Sequence, residues 1–274
     1  MTVLDDEIYP NAPLVWMAVE VRHPACEPLN QAQILQLSRQ VQEILPLPGQ
    51  AWTVSVEIQG NSDGSAAQQQ TSLAFPRWTS RDKRTALSVR PDSLVIETTD
   101  YRRFERVREL LSMVLCGLID VSAPAGVERI GLRYIDEIRA PLEDGGSPAW
   151  QEWVDPSLVG PVQVGLDCGF TPAGNDGVAV FFGPGGQAIA LRYGAQADYV
   201  VQSTDFLRRP LPPPGPLFRI DIDSYWEPSA EVPEFDRDLI LDHVDELHKP
   251  VREVFERLIT DRLRKEVLRN ALPA

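Results

Sequence analysis

The chain has 274 residues, enough for one large domain or two small ones, and 43% of them are hydrophobic and 24% charged. A chain of that size and balance folds without disulfide or metal staples. Its formal net charge of −14 argues against a general nucleic-acid binder, which needs cations to displace phosphate counterions.

The opening segment, MTVLDDEIYPNAP, lacks the basic-then-apolar order of a signal peptide, and no apolar run approaches the ~20 residues that cross a bilayer. The expectation is a reduced, cytoplasmic protein. Leu14 to Arg22 alternates as a strand, with Val15, Met17, Val19 and Val21 on one face. Asn30 caps a helix striped by Ile34, Leu37, Val41, Ile44 and Leu45, stopped by Pro46 and Pro48. Ala51 to Gln59 reads as a strand with Trp52 inward, and GNSDGSAAQQQ as a mobile loop.

Strands are expected at Thr71–Arg77, Thr85–Arg90 and Leu94–Thr98, the last two joined by the turn Arg90-Pro91-Asp92-Ser93. Thr99 or Asp100 caps a helix with the stripe Phe104, Val107, Leu110, Leu111, Val114 and Leu115. Cys116 in that run reads as a small buried hydrophobe. It, Cys26 and Cys168 are too few and too scattered for a disulfide framework or a metal knuckle.

A strand over 127–138 follows, then strands at Val162–Phe170, Gly177–Gly183 and Gln187–Tyr193, with Gly183-Pro184-Gly185-Gly186 turning the last pair. RRPLPPPGPL, 208–217, is a stiff connector, and Phe218–Tyr225 is a strand. A helix from about Phe235 to Arg269 closes the chain, kinked or split at Pro250. The order predicts one α+β domain, 1–274, of mostly antiparallel sheet with three main helices. LVIETTDYRRF (94–104) is loosely echoed by FRIDIDSYWE (218–227), which suggests a duplicated strands-then-helix unit with halves at about 1–140 and 158–274.

SVRPDSLVIETTDYRRFERV, VERIGLRYIDEI, the ending FRIDID…LHKPVREVFERLITDRLRKEV and the start NAPLVWMAVEVR together resemble an uncharacterised, sporadically distributed bacterial family of about this length. The shared positions are Tyr101, Phe104, Ile130 to Ile138, Asp221, His248, Phe255 and Thr260, and the family more often has Asn where this chain has Asp136. The resemblance implies no activity.

Within VERIGLRYIDEI, Ile130, Leu132, Tyr134 and Ile138 share one face, and Arg129, Gly131, Arg133 and Glu137 share the other. Asp136 falls on the apolar face. An unpaired carboxylate there is costly. The expected reading is a structural anchor paired with an arginine of a neighbouring strand or capping an amide. The rival is a ligand pocket built from Arg133, Tyr134, Asp136 and His248. Asp221 and Asp223, two apart on one strand face, are weak cation candidates, and a solvated face is the simpler reading.

His243 and His248 are spaced i, i+5, which points them apart and excludes a helical metal pair. Gly183–Gly186 is hairpin chemistry, not a phosphate loop. Trp78 beside Arg77, Arg81, Lys83 and Arg84 is the one basic cluster with an aromatic, conceivable as a nucleotide or nucleic-acid platform, though a solvated loop is the plainer account. No catalytic constellation, metal set or cofactor fingerprint survives. The sequence therefore favours a non-catalytic binding protein. It would present its sheet and its C-terminal helix to a protein partner or to a second copy.

Overall fold

The computed structural model describes residues 9–60, 66–142, 148–172 and 174–270, with side chains described outside 54–71. Nine strands form one antiparallel sheet. They are β1 Leu14–Arg22, β2 Leu47–Gly60, β3 Ala66–Thr79, β4 Thr85–Val89, β5 Ser93–Thr98, β6 Arg129–Ile138, β7 Asn175–Phe182, β8 Gln187–Gln196 and β9 Leu217–Trp226. Their spatial order is β2-β3-β4-β5-β1-β6-β9-β8-β7. The long helices are α1 Gln31–Val41, α2 Phe104–Val121 and α4 Arg237–Leu258; α3 Gly160–Asp167 and α5 Asp261–Leu263 are short. The α+β class and the antiparallel sheet are as the sequence predicts, and no helix among the described residues is long and apolar enough to cross a membrane.

The helices cover one face. α1 packs on α2, α2 on α4, and α4 on β6 and β9. The core beneath them is the alternation read from sequence: Met17, Val19 and Val21 of β1, Ile130, Leu132 and Ile138 of β6, and Phe218, Ile220 and Ile222 of β9, against Leu111, Leu115, Val244 and Leu247. Asn30 closes a full capping box on α1, its Oδ1 accepting the amides of Ala32 and Gln33.

Several local expectations are overturned. Val162–Phe170 is mostly helix α3, with Pro161 in its first turn, where a missing N–H costs nothing. Ala66 to Gln70 belong to β3, while 61–65 lie outside the described residues. Trp52 is exposed and Ala51 buried, the reverse of the expected alternation. Cys116 is exposed, because the buried stripe of α2 passes to Gly117 and Leu118. Neither Thr99 nor Asp100 caps α2. Asp100 instead receives Arg84 and Arg102, and Thr99 donates to the Arg208 carbonyl. The C-terminal helix runs through Pro250 and breaks at Ile259, which bridges to Val154. Thr260 then caps α5 through the Leu263 amide.

The helix-free face is strapped at one end. The proline-rich connector is tied down by Arg209, whose Nη2 donates to Glu137 Oε2 at 2.7 Å, both side chains being almost wholly buried. Glu137 Oε1 also accepts the amides of Val200 and Val201.

Candidate functional site on the open face of the sheet

The four residues expected to share a pocket are divided by the sheet. Tyr134 and His248 do meet under α4, with 3.0 Å between the phenol oxygen and Nδ1. Phe104 stacks on the imidazole at 3.9 Å, and Tyr101 meets Tyr134 edge-on. Burial pushes the Tyr101 phenol up to about 12, pushes Tyr134 well above its ordinary value and holds His248 below its own. The cluster is therefore uncharged near neutral pH, and it ties α4 to β6. Asp136 lies on this same face, two residues along β6. Arg133 projects from the opposite face and grips Asp221 bidentately, Nε to Oδ1 at 2.8 Å and Nη2 to Oδ2 at 2.7 Å.

Asp136 meets neither structural expectation. It is 6% exposed, and its carboxyl has no hydrogen-bond or arginine partner among the described residues. Burial, reinforced by the Asp221 charge, raises its pKa to about 8. The group is held as a neutral acid, the remaining way for a buried carboxyl to persist.

The aromatic-basic cluster is dismantled as a platform. Trp78 is 1% exposed and donates Nε1–H to Ser38 Oγ at 2.8 Å, so no base can stack on it. Arg77 is paired with Glu97 and Arg84 with Asp100, and Arg81 stays exposed at the β3–β4 turn. In that turn the Ser80 hydroxyl holds the Asp82 carboxyl below its ordinary range. Among the described residues no group of three or more His, Cys, Asp or Glu is placed to hold a metal. His243 stacks on Trp226, and Asp221 and Asp223 face arginines.

What the helix-free face carries instead is an ion-pair lattice across β1, β6 and β9. The register sets Glu20 opposite Gly131 and Gly131 opposite Tyr225; one pair along, Ala18 faces Arg133 and Arg133 faces Asp223. Arg129 donates to Glu20 at 3.0 Å and to both Asp223 oxygens at 3.0 and 3.2 Å, and lies over the Tyr225 ring at 4.6 Å. It can lie flat because residue 131 is glycine: a Cβ there would come within 2.4 Å of Arg129 Nη1. The Arg133 guanidinium sits 5.9 Å from the Trp16 ring.

A hollow of about 230 Å³ opens here, floored by Ala18, Val95 and Gly131 and rimmed by Trp16, Arg22 and Arg133. Its carboxylates, Glu20 and Asp223, are the less exposed charges, and Arg22 and Arg133 the more exposed ones, Arg22 being paired with Glu20 and Arg133 with Asp221. The most exposed charges on the rim are therefore guanidinium groups, each paired with a carboxylate, in a chain that is acidic overall. The alternation of Arg129, Gly131 and Arg133 was legible in the sequence, but their convergence with Trp16, Glu20 and Asp223 needed the strand order.

A larger, mostly apolar cleft of about 550 Å³ lies between Pro13, Ile138, Pro212, Pro213, Val267 and Leu268. Arg139 on its wall already donates to the Pro213 and Gly215 carbonyls. No family model matches the chain, and no curated protein matches it.

Proposed function

We propose that the protein is a non-catalytic binding protein whose open sheet face receives an acidic segment of a protein partner. The observation that carries this reading is the hollow rimmed by Trp16, Arg22 and Arg133. An aromatic edge beside two exposed guanidinium groups on a three-strand floor suits an aspartate or glutamate flanked by an apolar side chain. Lattice partners hold the arginines in place, so little side-chain entropy is lost on binding. Of the sheet and C-terminal helix expected from sequence, the sheet is the surface proposed, because the apolar stripe of α4 is packed into its own core.

The test is native mass spectrometry of the protein purified from the cells that make it. A bound polypeptide is expected, released by salt and absent from Arg22→Glu and Arg133→Gln. Arg22→Glu removes no buried partner, so it reports even if Arg133→Gln unsettles Asp221. Retention of the same polypeptide by a folded Arg22→Glu protein, or a bare chain in the wild type, would sink the reading.

The duplicated unit belongs to the same proposal. With the boundary moved from about residue 140 to just before β6, each half would have its first strand, β1 or β6, at the sheet centre, paired with its last strand, β5 or β9. A long helix follows each of those last strands. The echoed stretches LVIETTDYRRF and FRIDIDSYWE begin in β5 and β9, the strands in matching places.

A further inference from the structure

β7 ends the sheet, and no strand among the described residues pairs with its outer row of backbone N–H and C=O groups. Natural proteins guard such edges with lysine, proline, a bulge or a covering loop. β7 has none of the first three: from Gly177 to Gly183 the sequence is GVAVFFG, with no charge, and its register with β8 is unbroken. Its side chains are exposed on both faces. Val178 is 67% and Phe182 83% exposed on the open face, with Val180 between them, and Phe181 is exposed on the helix side. Beside the strand's first residue, where Asn175 donates to the Leu158 carbonyl, α3 adds the exposed Val164 and Leu166.

We infer that β7 is a self-pairing edge: two copies of the chain join β7 to β7, antiparallel, about a twofold axis at Val180. The sequence fits a second copy of itself in this register. Gly177 faces Gly183, Val178 faces Phe182, Ala179 faces Phe181 and Val180 faces itself, so each phenylalanine meets a smaller side chain. Face parity is kept, and Val178, Val180 and Phe182 of both copies form one apolar stripe. Asp176, the only charge on the strand, falls opposite Pro184, outside the apolar overlap. Two chains of net charge −14 therefore touch where neither brings a carboxylate. The antiparallel pair closes as a dimer with one continuous sheet, whereas a head-to-tail edge contact would propagate.

The test is sedimentation velocity on the full chain up to high micromolar concentration. The wild type is expected to reach twice the chain mass, and more readily as salt rises, since salt screens the like net charges. That trend is opposite to the salt release expected for the arginine-rimmed hollow, so the two readings fail separately. Val180→Lys and Val180→Glu each set like charges face to face across the axis and should raise the dimer Kd about tenfold or more. Their equimolar mixture should restore a heterodimer. Circular dichroism confirms that each variant is folded, as expected for an exposed position.

A monomeric wild type, or a Val180→Lys protein that still dimerises, overturns the inference. A mixture of the two variants that stays monomeric overturns the register. A different polypeptide found on β7 and lost with Val180→Lys would replace the second copy with a foreign strand.

Discussion

Asp136 shows how far a single residue could be read. Its place in the alternation of VERIGLRYIDEI was visible in sequence, and so was the cost of leaving it charged and unpaired. Its solution was not visible, because pairing depends on what neighbouring strands and helices bring. They bring Ile220 alongside and the Asp221 charge nearby, and among the described residues no cation that pairs with it.

The consequence is a pH dependence of definite sign. The folded pKa of about 8 exceeds the ordinary 3.8, so the folded state holds a proton that the unfolded chain releases. The stability from this group is complete below about pH 4 and is lost as pH rises towards 8, on the order of 6 kcal/mol at most. Asp136→Asn keeps the neutral shape. Thermal unfolding of this variant should lack that loss between pH 5 and 8, and at pH 8 it should be more stable than wild type by a few kcal/mol. If wild type and variant fall in parallel over that window, Asp136 is charged in the fold.

At the scale of elements, the two clearest misreadings have opposite causes. VQVGLDCGF alternates apolar and polar residues with a period of two, which reads as a strand, yet Gly160–Asp167 is helical with no buried side chain. Periodicity predicts conformation only where a face is buried, and α3 buries none. Pro250 was expected to kink or split the last helix; the split does not occur there, since Leu247 and Val251 on either side are anchored in the core and α4 continues to Leu258.

That continuity has a cost, since a proline inside a helix forfeits one hydrogen bond and crowds the preceding turn. Pro250→Ala should therefore raise stability by about 1–3 kcal/mol, read as a higher Tm with an unchanged unfolding slope in denaturant. A lower Tm would mean the ring itself is needed for packing.

At the scale of the molecule, the last helical segments are part of the single core. Val251, Ile259, Leu263 and Leu268 are all buried. Glu256, buried too, accepts the Tyr9 hydroxyl and Arg264 Nε. Ending the chain after Pro250 should abolish cooperative folding, and not merely assembly. The expected signature is loss of near-ultraviolet circular dichroism and of a sharp thermal transition. A truncated chain melting like wild type would show that these segments are peripheral.

The sequence by itself determined the class, the positions of most strands, the helix-facing stripes and the two faces of β6. These rest on local periodicity and on Gly, Pro and Asn chemistry, which act within a few residues. Tertiary structure alone decided that Trp78 is a core residue and that Arg133 and His248 lie on opposite sides of the sheet. It decided that Glu137 is matched by Arg209, that Arg129 and Arg133 join Trp16 around one hollow, and that β7 is an edge. Each of these depends on strand order and on contacts between residues tens to hundreds of positions apart. No local pattern encodes which strand becomes whose neighbour, because that is settled by how the whole apolar surface is buried at once.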